Sequence, residues 1–234
     1  MNWDYAKHYA SFHPDTPEHW RQMSERLRRW LGPHLPTDRA APVLDLGCGH
    51  GYALAVLREL GFAQIEGIDA DAGQAAYAQA HGLPVGHVTD TVAWLAARRQ
   101  YFGLVLLMDV LEHVPRTAQP DFLLAIASSL RPGGRLIITT PNAAAGLAGY
   151  WGYNDYTHHV SFTPASLGFL LSHAGFGRIH CQEIELAPPD WTPRAFVQRF
   201  FRAWRRLEYM AEFGRREGRC VPLSLNLLAV AHKD

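Results

Sequence analysis

Val43-Leu44-Asp45-Leu46-Gly47-Cys48-Gly49-His50-Gly51-Tyr52 decides how the rest of this chain is read. A short apolar stretch ends in a carboxylate. Three glycines follow at alternate positions, and then a helix-like segment runs over 53–60. Glycine has no Cβ, so such a turn reaches positive φ and lets a ligand approach the backbone closely. The N–H groups at the start of the next helix can then receive an electron-rich group. A second signal lies at Ile65-Glu66-Gly67-Ile68-Asp69-Ala70-Asp71. There another short strand ends in an acid about 20 residues after the glycine turn, where nucleotide-binding α/β folds place a carboxylate on ribose hydroxyls. The alternative is an ordinary tight strand-to-helix connection, but two acids at the two strand ends favour a nucleoside cofactor. The spacing is Gly-x-Gly-x-Gly, not the Gly-x-Gly-x-x-Gly of dinucleotide sites, and this disfavours a nicotinamide dehydrogenase.

Working outward, strands are expected over 42–46, 64–69, 84–89, 103–108, 134–140 and 178–186. Helices are expected over 52–60, 72–81, 91–99, 118–130 and 164–174. The alternation argues for a doubly wound, parallel-rich sheet with helices on both faces. An earlier helix over 17–31 carries Trp20, Met23, Leu27 and Trp30 on one stripe and ends near Gly32-Pro33. Leu130-Arg131-Pro132-Gly133-Gly134 reads as a helix stop and turn. The last strand, 223–232, is expected to run antiparallel at or near the sheet edge. The reading is one domain over 1–234. It comprises an N-terminal helical cap (1–39), a cofactor-binding core (40–186), a helical insertion (187–222) and the final strand (223–234).

Composition sets further bounds. Hydrophobic residues make up 48% of 234, enough for a sizeable core and an argument against disorder. Lys and Arg balance Asp and Glu at 22 each, so no nucleic-acid partner is expected. The three cysteines show no zinc or redox pairing pattern, which suits a reducing cytosol. The N-terminus lacks a basic-then-apolar signal, and no apolar run approaches the ~20 residues of a membrane span. A cytoplasmic location is expected. Most of the thirteen histidines are expected to be solvated or structural.

The exit of the fourth strand reads Met108-Asp109-Val110-Leu111-Glu112-His113-Val114. Ligands in open α/β sheets bind outside the carboxyl ends of strands, so Asp109, Glu112 and His113 stand at the mouth of a site. A single helical turn would put all three on one side, and two carboxylates with an imidazole suit a divalent metal. A long loop over 141–162 supplies His158 and His159 within Asn154-Asp155-Tyr156-Thr157-His158-His159-Val160-Ser161-Phe162. A loop of that length in a compact domain is usually functional or mobile.

The glycine turn and the two acids resemble the cofactor motif of class I S-adenosylmethionine-dependent methyltransferases, over roughly residues 40–186 and again at the last strand. The resemblance implies a Rossmann-like fold, mostly parallel with an antiparallel last strand. It implies an amino-acid subsite at Asp45, Gly47 and Gly49, with Cys48 inside the turn. Asp69 matches the ribose acid, with Ala70 beside it. Asp90 matches the adenine contact, although a helix cap explains it equally. Met108 is expected to be a further cofactor contact. The blocks at 109–113 and 154–163 resemble ubiquinone-biosynthesis O-methyltransferases and small-RNA 2′-O-methyltransferases, which gather a magnesium-like ion beside the acceptor. That likeness implies Mg²⁺ or Mn²⁺ on Asp109, Glu112, His113 and a later histidine. His158 or His159 supplies the last, and spacing to Phe162 and Thr163 favours His158. Asp109 stands where Glu is commoner. Similar Leu-Glu-His-Val blocks occur without metal, where the Glu and His cap the turn or act as acid and base. His113, His158 and His159 are the candidate catalytic residues.

From Arg194 to Arg219 there are eight Arg and three Glu, with Phe196, Phe200, Trp204, Leu207 and Ala211 on one helical stripe widened by Val197 and Phe201. Three placements compete for the helix expected over 194–213. It packs on the sheet as a lid with its arginines in water, forms a homodimer face, or makes peripheral contact with the cytoplasmic face of a membrane. The insertion and its Leu225-Asn226-Leu227-Leu228-Ala229-Val230-Ala231 strand resemble bacterial methyltransferases of surface polysaccharides and lipid-linked sugars. The expectation is therefore O-methylation of a hydroxyl on a glycan or lipid-linked saccharide. The rivals are a quinone or small aromatic acceptor, and a catalytically silent S-adenosylmethionine-binding scaffold.

Overall fold

The run Phe-Gly-Leu-Val-Leu-Leu-Met at Phe102–Met108 has no polar face, and a strand of that kind needs cover on both sides. It has that cover in the computed structural model, which describes residue 9 and residues 11–184 and 192–234. In chain order the elements are α1 (Pro17–Leu31), β1 (Val43–Leu46), α2 (Tyr52–Glu59), β2 (Ile65–Asp69), α3 (Ala72–Ala80), β3 (Val85–His87), α4 (Thr91–Ala96) and β4 (Phe102–Met108). A 3₁₀ turn at Leu111–His113 leads to α5 (Gln119–Ser129), β5 (Leu130–Pro141), α6 (Ala148–Gly152), α7 (Pro164–His173), β6 (Phe176–Glu183), α8 (Pro193–Phe213), α9 (Arg215–Cys220) and β7 (Asn226–Lys233).

The seven strands form one sheet in the order β3-β2-β1-β4-β5-β7-β6. The pairs from β3 to β5 are parallel; β7 runs antiparallel to both β5 and β6. Alternate residues of β4 feed opposite cores, as the period of two requires. Leu104 and Leu106 join Leu27, Leu31, Val56 and Leu57 of α1 and α2. Val105 and Leu107 join Phe122, Leu123, Ile126, Leu167 and Leu171 of α5 and α7.

Four sequence expectations change. The helix expected over 118–130 does stop at Ser129, but the Arg-Pro-Gly-Gly turn is absorbed into β5 as an irregularity. Gly133 takes φ 74°, and the partner of Phe102 is Leu130 while that of Leu104 is already Arg135. The last strand starts at Asn226 and not at 223, because the preceding residues are drawn off by other partners: Leu223 N–H donates to Glu183 Oε1 (2.8 Å) and Ser224 Oγ accepts from Ile184 N–H (3.0 Å). The strand expected over 178–186 begins at Phe176, and its last two positions lie outside the described residues.

The fourth change concerns α8. The helix forms, with Thr192 as N-cap and Pro193 in the first turn. It does not lay its aromatic stripe on the sheet. Arg202 and Arg206 face inward and pair with Glu183 at the end of β6. Arg206 also donates to the Gly218 carbonyl (3.0 Å) and to that of Val221, and Tyr209 Oη donates to the Ala144 carbonyl (2.8 Å). The polar face is docked and the aromatic face is exposed, with Phe196 72% and Trp204 57% accessible. The expectation of arginines left in water thus changes at Arg202 and Arg206, which Glu183 engages.

Candidate active site

The C-terminal ends of β3, β2, β1 and β4 lie side by side, and the glycine turn rises from the third of them. Gly47, Gly49 and Gly51 all take the left-handed region, at φ 72°, 53° and 82°. At Gly47 the requirement is also spatial: a Cβ would sit 2.5 Å from Val110 Cγ2 on the loop after β4. The N–H groups of Gly47 and Cys48 both donate to the Ile68 carbonyl, at 2.8 and 3.1 Å, and pin the turn to β2. Asp69 completes the attachment. Its Oδ2 accepts from Gly49 N–H (2.8 Å) and its Oδ1 from Asp71 N–H (2.9 Å). The ribose candidate is thus also a structural clamp on the turn. Burial raises its pKa.

Asp45 lies beneath the turn and is 2% exposed; burial, with the charge of Asp69 adding, pushes its pKa up to about 7. Cys48 is buried and its thiol is pushed far up by the same burial, so it is unreactive. Ala70 is exposed, and its carbonyl takes a hydrogen bond from His87 Nε2 (3.1 Å). Asp90 caps α4, accepting from Ala93 N–H at 3.0 Å, as the structural alternative required. Met108 is half-buried at the end of β4.

The acceptor side departs from the sequence expectation at Asp109. The three-residue and four-residue spacings assumed a continuous helical turn, but Asp109 takes φ 54° and the 3₁₀ turn begins only at Leu111. Its Oδ1 therefore accepts from Thr139 Oγ1 (3.0 Å) and Asn226 Nδ2 (2.8 Å), tying β4 to β5 and β7. The group that does gather is Glu112, His113 and His158, whose ligand atoms lie within 4.8 Å of one another. His159 is exposed and contributes only its backbone N–H, to the Glu112 carbonyl at 2.8 Å.

Glu112 is 0% exposed. Its Oε2 accepts from Thr140 Oγ1 at 3.1 Å, while its Oε1 is buried without a hydrogen-bond partner among the described residues. Burial, with Asp109 adding, raises its pKa well above the carboxylate range. His113 Nδ1 is 2.8 Å from Thr157 Oγ1, which is 2.6 Å from Asp155 Oδ1. The hydroxyl has one proton; given to the carboxylate, it leaves the oxygen to accept from Nδ1–H. His158 Nδ1 lies 3.0 Å from the Gly152 carbonyl, which can only accept. Each ring thus carries a proton on Nδ1, and its neutral form has the lone pair on Nε2. The two rings meet edge-on, with centroids 4.6 Å apart. Burial, with His158 adding, lowers the His113 pKa to about 4, so the ring is neutral at physiological pH.

Thr140, Thr157 and Asp155 are neighbours of this cluster that sequence reasoning missed. The signal for two of them was present: Asp155-Tyr156-Thr157 is an Asx turn, with Thr157 N–H on Asp155 Oδ1 at 2.8 Å, immediately before His158. A metal fits this donor set. Two imidazoles whose Nδ1–H is held by an outer oxygen, and a carboxylate with one buried unpartnered oxygen, are what an ion's ligands look like.

This sheet order, the turn over β1 with an acid at the end of β2, and polar groups on the β4 and β5 exits define the class I S-adenosylmethionine-dependent methyltransferase architecture. The chain matches the family described as Methyltransferase domain over residues 19–180; it belongs to that family and is an S-adenosylmethionine-dependent methyltransferase. It is similar to the Ubiquinone biosynthesis O-methyltransferase of Cereibacter sphaeroides, 30% identical over 190 residues that cover 74% of each chain. The protein of that name from Ruegeria pomeroyi is 31% identical over 189 residues, 73% of each. A SAM dependent methyltransferase structure from Archaeoglobus fulgidus shares the fold at TM-score 0.71 and 20% identity, over 98% of this chain and 100% of that one. Another, from Mesorhizobium loti, gives TM-score 0.57 at 19% identity, over 87% and 95%.

Proposed function

We propose that this protein transfers the methyl group of S-adenosylmethionine to a hydroxyl of an aromatic, quinone-type acceptor. The observation that carries the reading is the Glu112–His113–His158 cluster at the carboxyl ends of β4 and β5, beside the cofactor turn. The names of the curated relatives favour the quinone acceptor over the glycan first expected. The sulfonium is already activated, so the protein must chiefly align a hydroxyl and accept one proton. His113 and His158 present Nε2 lone pairs for that work, and Glu112 holds a carboxylate oxygen beside them. A pKa of about 4 makes His113 a poor base on its own, because the best catalytic base titrates near the working pH. This favours the three groups as holders of Mg²⁺ or Mn²⁺. Such an ion would lower the pKa of a bound hydroxyl.

The test is transfer of labelled methyl to a catechol, a polyprenyl quinol precursor and a lipid-linked saccharide, with and without chelator. Transfer to the phenolic hydroxyl that chelator abolishes and Mg²⁺ or Mn²⁺ restores supports both parts. Chelator-insensitive transfer removes the metal and leaves the acceptor. Transfer to the saccharide alone overturns the quinone reading. Full cofactor binding with no transfer to any acceptor would point to the silent scaffold.

A further inference from the structure

A helix that docks by its charges and shows its aromatics to solvent reverses the usual arrangement, in which the apolar stripe faces the core. On α8 the exposed face carries Phe196, Val197, Phe200, Phe201, Trp204 and Leu207, at 51–72% accessibility. The helix is held in that attitude from behind. Arg202 and Arg206 grip Glu183, Tyr209 bonds the Ala144 carbonyl, and the Arg205 side chain lies over Gly146. The aromatic face is therefore turned away from these attachments. Six exposed large apolar residues on one face of a helix mark an interaction site.

The charge around it identifies the occupant. The segment from Arg194 to Arg219 carries eight Arg against three Glu in a chain whose total balances at zero. Two of those arginines are spent on Glu183, but Arg215, Arg216 and Arg219 on α9 are exposed. A two-fold contact through this face would bring two such basic segments together, and like charges oppose it. An anionic surface is attracted instead. Aromatic residues including Trp, on one face of a basic helix too polar to cross a bilayer, suit the headgroup boundary of a membrane. Among the described residues no helix is long and apolar enough to span one. We infer that α8 and α9 form a docking surface for an anionic lipid bilayer, with the aromatic face of α8 lying in the interface and the arginines on the headgroups. The inference stands on the helix mount and its charge, whichever hydroxyl is methylated.

The test uses the full-length chain with vesicles of phosphatidylcholine containing phosphatidylglycerol, and of phosphatidylcholine alone. Co-sedimentation is expected with the anionic vesicles, and at least about tenfold weaker with the neutral ones or at high salt, since surface attraction is screened. Replacing Phe200 and Trp204 by Ser together should weaken vesicle binding by roughly tenfold or more at every salt concentration, because less apolar area enters the interface. It should leave thermal stability and S-adenosylmethionine affinity unchanged. R215Q/R216Q should remove part of the salt-sensitive component. Absence of sedimentation with the anionic vesicles would overturn the inference. So would a concentration-dependent dimer that the Phe200/Trp204 variant dissolves, since a second copy would then cover the face.

Discussion

Thr157→Val isolates what the Asp155–Thr157–His113 chain does. The substitution keeps the side-chain shape and removes the hydroxyl that accepts from His113 Nδ1–H at 2.8 Å and donates to Asp155 at 2.6 Å. His113 is largely buried, so stranding the Nδ1–H costs about 1–3 kcal/mol, and the ring recovers that cost by rotating or changing tautomer. Either response moves the Nε2 lone pair. At ~1.4 kcal/mol per decade the loss is roughly 5- to 150-fold in whatever depends on that lone pair, and outer partners of metal-ligand histidines typically cost about 10–100-fold. The assay is kcat/KM for the acceptor together with Mg²⁺ or Mn²⁺ affinity by titration calorimetry. S-adenosylmethionine affinity serves as the control, because the substitution lies on the acceptor loop. Thr157→Ser restores the hydroxyl and should restore both quantities. A Val variant equal to the wild type in both would refute the orienting role, and a Ser variant as impaired as Val would show that the methyl group's packing matters instead.

Asp45 gives a pH prediction. The unfolded chain ionises it near ~3.9 and the fold holds its proton to about 7, so the folded state binds more protons between those values. Stability contributed by this group therefore falls as pH rises through that window, by up to about 4 kcal/mol. In urea unfolding, Asp45→Asn should match the wild type near pH 4 and exceed it near pH 8; parallel pH profiles would contradict the burial argument. Gly47→Ala should cost about 2–5 kcal/mol, from the left-handed φ and the contact with Val110 Cγ2. Adding Val110→Ala should return only the contact part, and strictly additive effects in that double-mutant cycle would argue against it. Asp69→Ala should weaken S-adenosylmethionine binding and also lower thermal stability, since it releases two charge-assisted backbone bonds of about 1.5–3 kcal/mol each. Weakened binding at unchanged stability would remove the clamp.

Much of this was legible in the chain because it depended on local pattern. The burial of β4 follows from seven consecutive residues without a polar face, and the glycine turn from three positions that only glycine fills without strain. The 17–31 helix matched to the residue, with Thr16 accepting from His19 N–H as its cap. What failed depended on partners distant in sequence. Periodicity marked the apolar face of α8, but which face docks was decided by Glu183, about twenty residues earlier at a strand end. Asp109 looked like a ligand because its spacing from Glu112 and His113 suits a helix; a single positive φ turned it toward Asn226, 117 positions on. Glu112 and His113 were legible as a site because any exit from β4 delivers them to the same mouth. Thr140 was not, because only the parallel pairing of β4 with β5 brings it there.

The pairing of β6 with β7 has a consequence for how this protein can be altered. Glu183 lies opposite Leu227, so the backbone leaves the sheet and re-enters it at adjoining points. The register from Phe176↔Lys233 to Glu183↔Leu227 does not depend on how long the intervening excursion is. Closing a flexible loop costs only slowly more as it lengthens. The segment carrying α8 and α9 is thus a cassette on a hairpin. It can be shortened to a turn or exchanged for another chain segment with the cofactor half of the sheet untouched, which makes it the natural place to graft a new address onto the same chemistry.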